Sequence, residues 1–147
     1  KIQRAIAAAD APLLPCLTDK LKHAICEGIQ DKEQRISLCA ALDSLPDGQA
    51  TCHGALMPQD IIMNQNGGYC ILNWANAARG NSLFTFVQLT LEDNEQLALS
   101  QLYLSTFSAS DPPLERAVLR FVPICAAARI GGANERERSI LNGLINQ

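Results

Sequence analysis

The residues best suited to chemistry lie in Gln65 to Gly80, QNGGYCILNWANAARG, where Cys70 stands two positions after the pair Gly67-Gly68. A cysteine at a helix start is a stronger thiolate, and hence a candidate nucleophile. Such a nucleophile needs a base within hydrogen-bond reach, and both histidines, His23 and His53, precede it. Cys52 and His53 are adjacent, and neighbours on a helix do not face each other. Cys70 is therefore expected as an ordinary inward residue of a strand, followed by Leu72 and Trp74 on the same face. Glu92, Asp93 and Glu95 form an acidic cluster that suits a helix N-terminus. Gly67-Gly68 lacks the third glycine of a dinucleotide loop, so no cofactor is expected. With no CxxC and only two histidines, no metal site is expected either. The expectation is a chain that is not an enzyme.

Composition narrows the partners. A net charge of −3 with no cluster of Lys and Arg excludes a general nucleic-acid binder. The one arginine-rich stretch, Arg129 to Arg138, is interleaved with Glu135 and Glu137 and reads as a solvated helix face. With 48% apolar and 18% charged residues, the surface is thinly charged, which suggests that a partner covers part of it. No apolar run reaches membrane-spanning length, so no membrane partner is expected. Beginning at Lys1 rather than Met, the chain is expected to have lost an upstream segment. The six cysteines sit mostly within apolar runs and are expected as reduced thiols of a cytoplasmic protein. The alternative is a secreted or periplasmic protein with those cysteines paired.

The elements that must position these residues follow from periodicity. Ile2 to Ala9 is helical, ended by Asp10 and Pro12. Leu13 to Thr18, Leu21 to Ile29 and Arg35 to Leu42 are short apolar runs parted by polar turns, which predicts a three-stranded antiparallel meander. The competing reading makes Leu17 to Ile29 one amphipathic helix, since Leu17, Leu21, Ala24 and Ile25 keep helical spacing. Leu45-Pro46-Asp47-Gly48 is a breaker. Ala50 to Gln65 suits a helix ended by Asn66-Gly67-Gly68. Tyr69 to Trp74 and Leu83 to Leu91 alternate and predict a β-hairpin across Arg79-Gly80-Asn81. Leu97 to Phe107 fits helix, capped by Asp93 or Asn94, or strand. Asp111-Pro112 opens a clear helix with Leu114, Ala117, Val118, Phe121, Cys125 and Ala128 on one stripe and Pro123 inside. Gly131-Gly132 ends it, and Asn134 caps a last helix in which Ile140, Leu141, Leu144 and Ile145 turn inward. The class is α+β, one domain over 1–147 with 108–147 as a helical extension; the alternative is an all-α bundle.

Three pieces in order, RISLCAALDSLP from Arg35 to Pro46, a helix ending at Asn66-Gly67-Gly68, and YCILNWANAARGNSLFTFVQLTL, resemble the class I type III secretion chaperones of the Tir-chaperone family. The likeness spans Leu13 to Phe107. It implies a homodimer that holds an extended segment of a secreted effector protein without ATP. It further implies that Ile2, Ile6, Leu14, Ile25 and Leu38 line the effector grooves, and that Leu56, Met57, Ile61, Ile62, Leu72 and Trp74 supply the dimer contact. A rival resemblance, to the YbjN-like regulators, sets one helix over Asp60 to Ala78 and the hairpin over Leu83 to Phe107. The alternative function is a disulfide-containing helical interaction or inhibitor protein of the immunity type.

Overall fold

The computed structural model describes residues 2–91 and 112–146. It is an α+β fold in which helices form the bulk and four short strands form two antiparallel pairs. Helix α1 (Ile2–Ala7) precedes α2 (Leu17–Gly28) and α3 (Lys32–Asp43). Here the expected meander gives way to two helices, and the competing reading of Leu17 to Ile29 is the one observed. Leu17, Leu21 and Ile25 recur every four residues and are buried together, while Asp19, Lys22, His23 and Glu27 take the outer face. The polar stretch before α3 contains a helix cap and not a hairpin turn. Asp31 Oδ1 accepts from Gln34 N at 2.7 Å, satisfying one of the first-turn amides that a helix leaves unpaired. Helix α3 buries Leu38 and Leu42 and ends at Asp43, ahead of the Leu45-Pro46 breaker.

Strand β1 (Ala50–Cys52) pairs with β4 (Ala78–Gly80), and between them β2 (Ile61–Met63) pairs with β3 (Tyr69–Ile71). The helix expected over Ala50 to Gln65 is absent, and so is the rival's continuous helix over Asp60 to Ala78. The Asn66-Gly67-Gly68 stretch is instead the turn of a tight hairpin: Gly67 has φ +74°, and Asn64 N bonds Gly68 O at 2.9 Å. A glycine signal that fits a left-handed helix cap fits a hairpin turn equally well, because both need positive φ. The partner of Tyr69 to Ile71 is thus the strand just upstream. Leu83 to Leu91, expected as its mate, forms helix α4 (Leu83–Thr90).

Helix α5 (Pro112–Arg129) follows the undescribed residues 92–111. It is the central helix, packed on α2, α3 and α4 and on the last helix, α6 (Glu135–Ile145). Its Phe121, Ile124, Cys125, Ala126 and Ala127 are buried in the core, and burying Phe121 and Ile124 stabilises by roughly 1.5–3 kcal/mol each. Helix α6 opens as expected, with a reciprocal box in which Asn134 Oδ1 accepts from Glu137 N and Glu137 Oε2 from Asn134 N, both at 3.0 Å. Leu141, Leu144 and Ile145 turn inward, whereas Ile140 lies outward. The alternatives for Leu97 to Phe107, and the caps at Asp93 or Asn94 and at Asp111, fall outside the described residues. Among the described residues no helix is long and apolar enough to cross a membrane.

Candidate active site

Nesting one strand pair inside the other forces two loops together. The chain leaves β1 through His53–Asp60 to reach β2, and leaves β3 through Leu72–Ala77 to reach β4. Both loops therefore lie where the two pairs meet. Leu72 N donates to Asp60 O at 2.9 Å, tying the loops by their backbones. His53, fully buried, pins them again: its Nε2 lies 2.6 Å from Leu72 O and its ring sits 4.9 Å from that of Trp74. A carbonyl oxygen can only accept, so the Nε2 proton is present, and Nδ1 is left as a buried acceptor with no partner.

Gly54 is required at the third crossing. Its φ is +85°, and a Cβ there would stand 1.9 Å from Asn76 O. Any side chain would drive the two loops apart.

At the centre stand Asp60 and Asn73. Asp60 is 4% exposed; its Oδ2 accepts from Met57 N at 3.0 Å, closing the one-turn 3-10 helix Pro58–Asp60. Its Oδ1 accepts from Asn73 Nδ2. Asn73 has φ 60° and ψ 49°, the only positive-φ non-glycine residue among those described. Asparagine tolerates this left-handed conformation better than most residues, and such backbone settings concentrate at functional sites. The result is a carboxylate and a carboxamide held face to face by two loops, with Ala55 on the same loop as Asp60. Among the described residues no cluster of three or more His, Cys, Asp or Glu forms a closed metal cage.

The residues singled out in the sequence fall elsewhere or play other parts. Cys70 is exposed rather than inward, and Leu72 and Trp74 are also at the surface. Ile6, Ile25 and Leu38, expected in effector grooves, are core residues; Leu14 is half-buried, and the side chain of Ile2 is outside the described ones. Of the expected dimer contacts, Leu56 is buried beneath the loop, Met57 and Ile61 are half-buried, and Ile62 is exposed. All six cysteines are free thiols, Cys52 and Cys125 being buried. Burial pushes the Cys52 thiol up to about 11 and the Cys125 thiol higher still, which makes both poor nucleophiles at neutral pH.

No family model and no curated protein matches the chain. Among solved structures, the chain is similar to the crystal structure of choline kinase LicA from Streptococcus pneumoniae. The TM-score is 0.61 and the identity 14%, over 99% of this chain and 61% of that one. The chain thus spans less than two thirds of that kinase's length, and the likeness is one of fold. It overturns two expectations. The fold resembles that of this kinase, and the chain does not follow the order of strands and helices of a type III secretion chaperone. The expectation of a chain that is not an enzyme also gives way, since the shared fold is an enzyme's.

A signal for this was present in the sequence. The kinase catalytic loop runs H-R-D-L-x-x-x-N, with a D-F-G further on. His53-Gly54-Ala55-Leu56-Met57-Pro58-Gln59-Asp60 keeps that spacing, with His53 and Leu56 in place, and Asn73-Trp74-Ala75 stands where the D-F-G would. Six departures hide it: Gly54 for the arginine, Ala55 for the first aspartate, Asp60 for the asparagine, and Asn73, Trp74 and Ala75 for the three residues of D-F-G.

Proposed function

We propose that the chain is the catalytic-loop lobe of a phosphotransferase, moving the terminal phosphoryl group of a nucleoside triphosphate onto a hydroxyl of a small acceptor. The observation that carries this reading is the Asp60–Asn73 pair, brought together across two loops at kinase spacing. In kinases one carboxylate and one carboxamide at these positions hold Mg²⁺. This chain retains one of each with the two exchanged, and such a hard-oxygen set suits Mg²⁺. Asp60 and Asn73 would hold it, and when bound it neutralises charge on the phosphates.

The chain's own residues supply position. Asp60 is fixed by Met57 N and Asn73, Asn73 by its backbone setting, and both by His53 and Gly54. In the reaction the acceptor oxygen bonds to the terminal phosphorus, the bridging P–O bond breaks and the diphosphate leaves. The hydroxyl proton passes to solvent, because Ala55 stands where kinases keep the aspartate that accepts it. Phosphoryl transfer rests mainly on positioning and electrostatics, so the missing base slows the reaction without removing its basis. Six free thiols and the need for a nucleoside triphosphate favour a cytoplasmic setting.

The test is ³¹P NMR of ATP with small alcohols of positive, neutral and negative charge, with Mg²⁺, for the native chain and Ala55→Asp. Restoring the carboxylate is expected to raise the transfer rate about 10²-fold. No Mg²⁺-dependent binding of ATP by either protein, with no transfer by Ala55→Asp, would overturn the reading.

A further inference from the structure

Behind Ala55 lies a cavity of about 300 Å³ between the His53–Asp60 loop and helices α2, α4 and α5. Its walls are largely apolar, with Leu21 and Ala24 from α2, Phe84 from α4 and Cys125 from α5. One polar side chain in it is incomplete. Gln88, 5% exposed, donates from Nε2 to Gly54 O at 2.9 Å, which fixes the amide's orientation and leaves Oε1 buried with no partner. Buried amide oxygens are nearly always hydrogen-bonded, so this one calls for a donor that none of the described residues supplies. The charge of the lining is equally specific. Lys20 and Arg129 line the cavity from α2 and α5, and no carboxylate does so among the described residues. Lys20 commits one of its three N–H donors to Asn76 O at 3.0 Å, which keeps the ammonium beside the loop.

We propose that this cavity binds a small molecule with an apolar body, a hydroxyl donating to Gln88 Oε1, and an anionic group met by Lys20 and Arg129. The bond from Gln88 to Gly54 sets that hydroxyl beside Ala55, so Gln88 is a positioning residue for it. The cationic lining disfavours a quaternary ammonium such as choline, so the acceptor differs in charge from the one named for the similar kinase. The role of the hydroxyl as acceptor rests on the phosphotransferase reading; binding itself does not.

The test therefore omits nucleotide. Titration calorimetry on the full chain with 4-hydroxyphenylacetate, phenylacetate and tyramine varies the hydroxyl and the charge on one ring. The hydroxy acid is expected to bind, with phenylacetate and tyramine each about tenfold weaker or more. Gln88→Met is expected to erase the preference for the hydroxyl, and Ala24→Phe, which fills the cavity, to abolish binding with the circular dichroism spectrum unchanged. Binding of tyramine as tight as that of the hydroxy acid, a hydroxyl preference that survives Gln88→Met, or no binding at about 10 mM would overturn the proposal. Gln88-dependent binding that Ala55→Asp retains, with no phosphorylation of the bound probe by that variant and MgATP, would leave this pocket standing and count against the phosphotransferase reading alone.

Discussion

Exchanging the two central residues singly and together tests whether Asp60 and Asn73 act as one unit. In the native chain Asp60 accepts two bonds, from Met57 N and from Asn73 Nδ2. Asp60→Asn keeps an oxygen for Met57, and the Asn73 amide can turn to accept, so only the charge assistance is lost, about 1 kcal/mol. Asn73→Asp is far worse. It sets two carboxylates in contact, one of them nearly buried, and deletes the donor between them, at a cost of about 2–3 kcal/mol. Aspartate accepts the left-handed backbone at 73 much as asparagine does, so the loss is electrostatic. The double exchange restores one carboxylate and one carboxamide donor, and its stability is expected within about 0.5 kcal/mol of native, a coupling of about 2–4 kcal/mol. Urea unfolding followed by far-ultraviolet circular dichroism reads all four proteins. Protonating one of the facing carboxylates relieves Asn73→Asp, so its deficit should shrink as pH falls from 7 toward about 4. Additive effects in the double exchange, or a deficit that does not respond to pH, would refute the idea of a paired site.

Gly54→Ala should destabilise by about 3 kcal/mol or more or yield insoluble chain, because of its φ of +85° and a Cβ only 1.9 Å from Asn76 O. Gly143→Ala, in α6 with open space around it, should stabilise by about 0.5–1 kcal/mol in the same urea assay. With a thiol reagent at pH 8, exposed Cys16, Cys26 and Cys70 should react first, half-buried Cys39 later, and Cys52 and Cys125 only on unfolding. Because folding raises the Cys52 thiol from 9.0 to about 11, its contribution is whole below pH 9 and is lost as pH rises toward 11. Cys52→Ser should flatten that alkaline decline in a thermal melt; an unchanged slope would refute the assignment.

The last two helices were legible in the sequence. Pro112–Arg129 and the Asn134 cap stand as the sequence predicts. The first half misled because its signals serve two structures. Asp31 within a polar stretch reads as a turn until its side chain is seen capping α3, and Gly67 permits a helix cap or a hairpin by the same positive φ. Each strand has only three residues, too few for alternation to appear, and each owes its place to loops bound across the nest. The site was hidden for a different reason. The sequence sets a Cys70–His53 pair aside and turns Cys70 inward on a strand, whereas Cys70 is exposed and His53 is a buried pin between two loops. Asp60 and Asn73 drew no notice because they stand thirteen residues apart, and only the strand nesting makes them neighbours.

That nesting also sets which positions can be replaced. Replacing His53 or Gly54 would dismantle the joint between the loops, since one holds Leu72 and Trp74 and the other admits Asn76. Ala55 is a position whose side chain can change without breaking that joint, whereas Asp60 and Asn73 can change only together. The pair at 60 and 73 holds one charge and one amide, with the carboxylate on the more buried loop and bonded to the carboxamide. Alanine at 55 removes a charge that would sit at the edge of the Gln88 cavity. A carboxylate there would repel an anionic ligand held by Lys20 and Arg129. Alanine at 55 is thus compatible with the cationic lining of the cavity beside it.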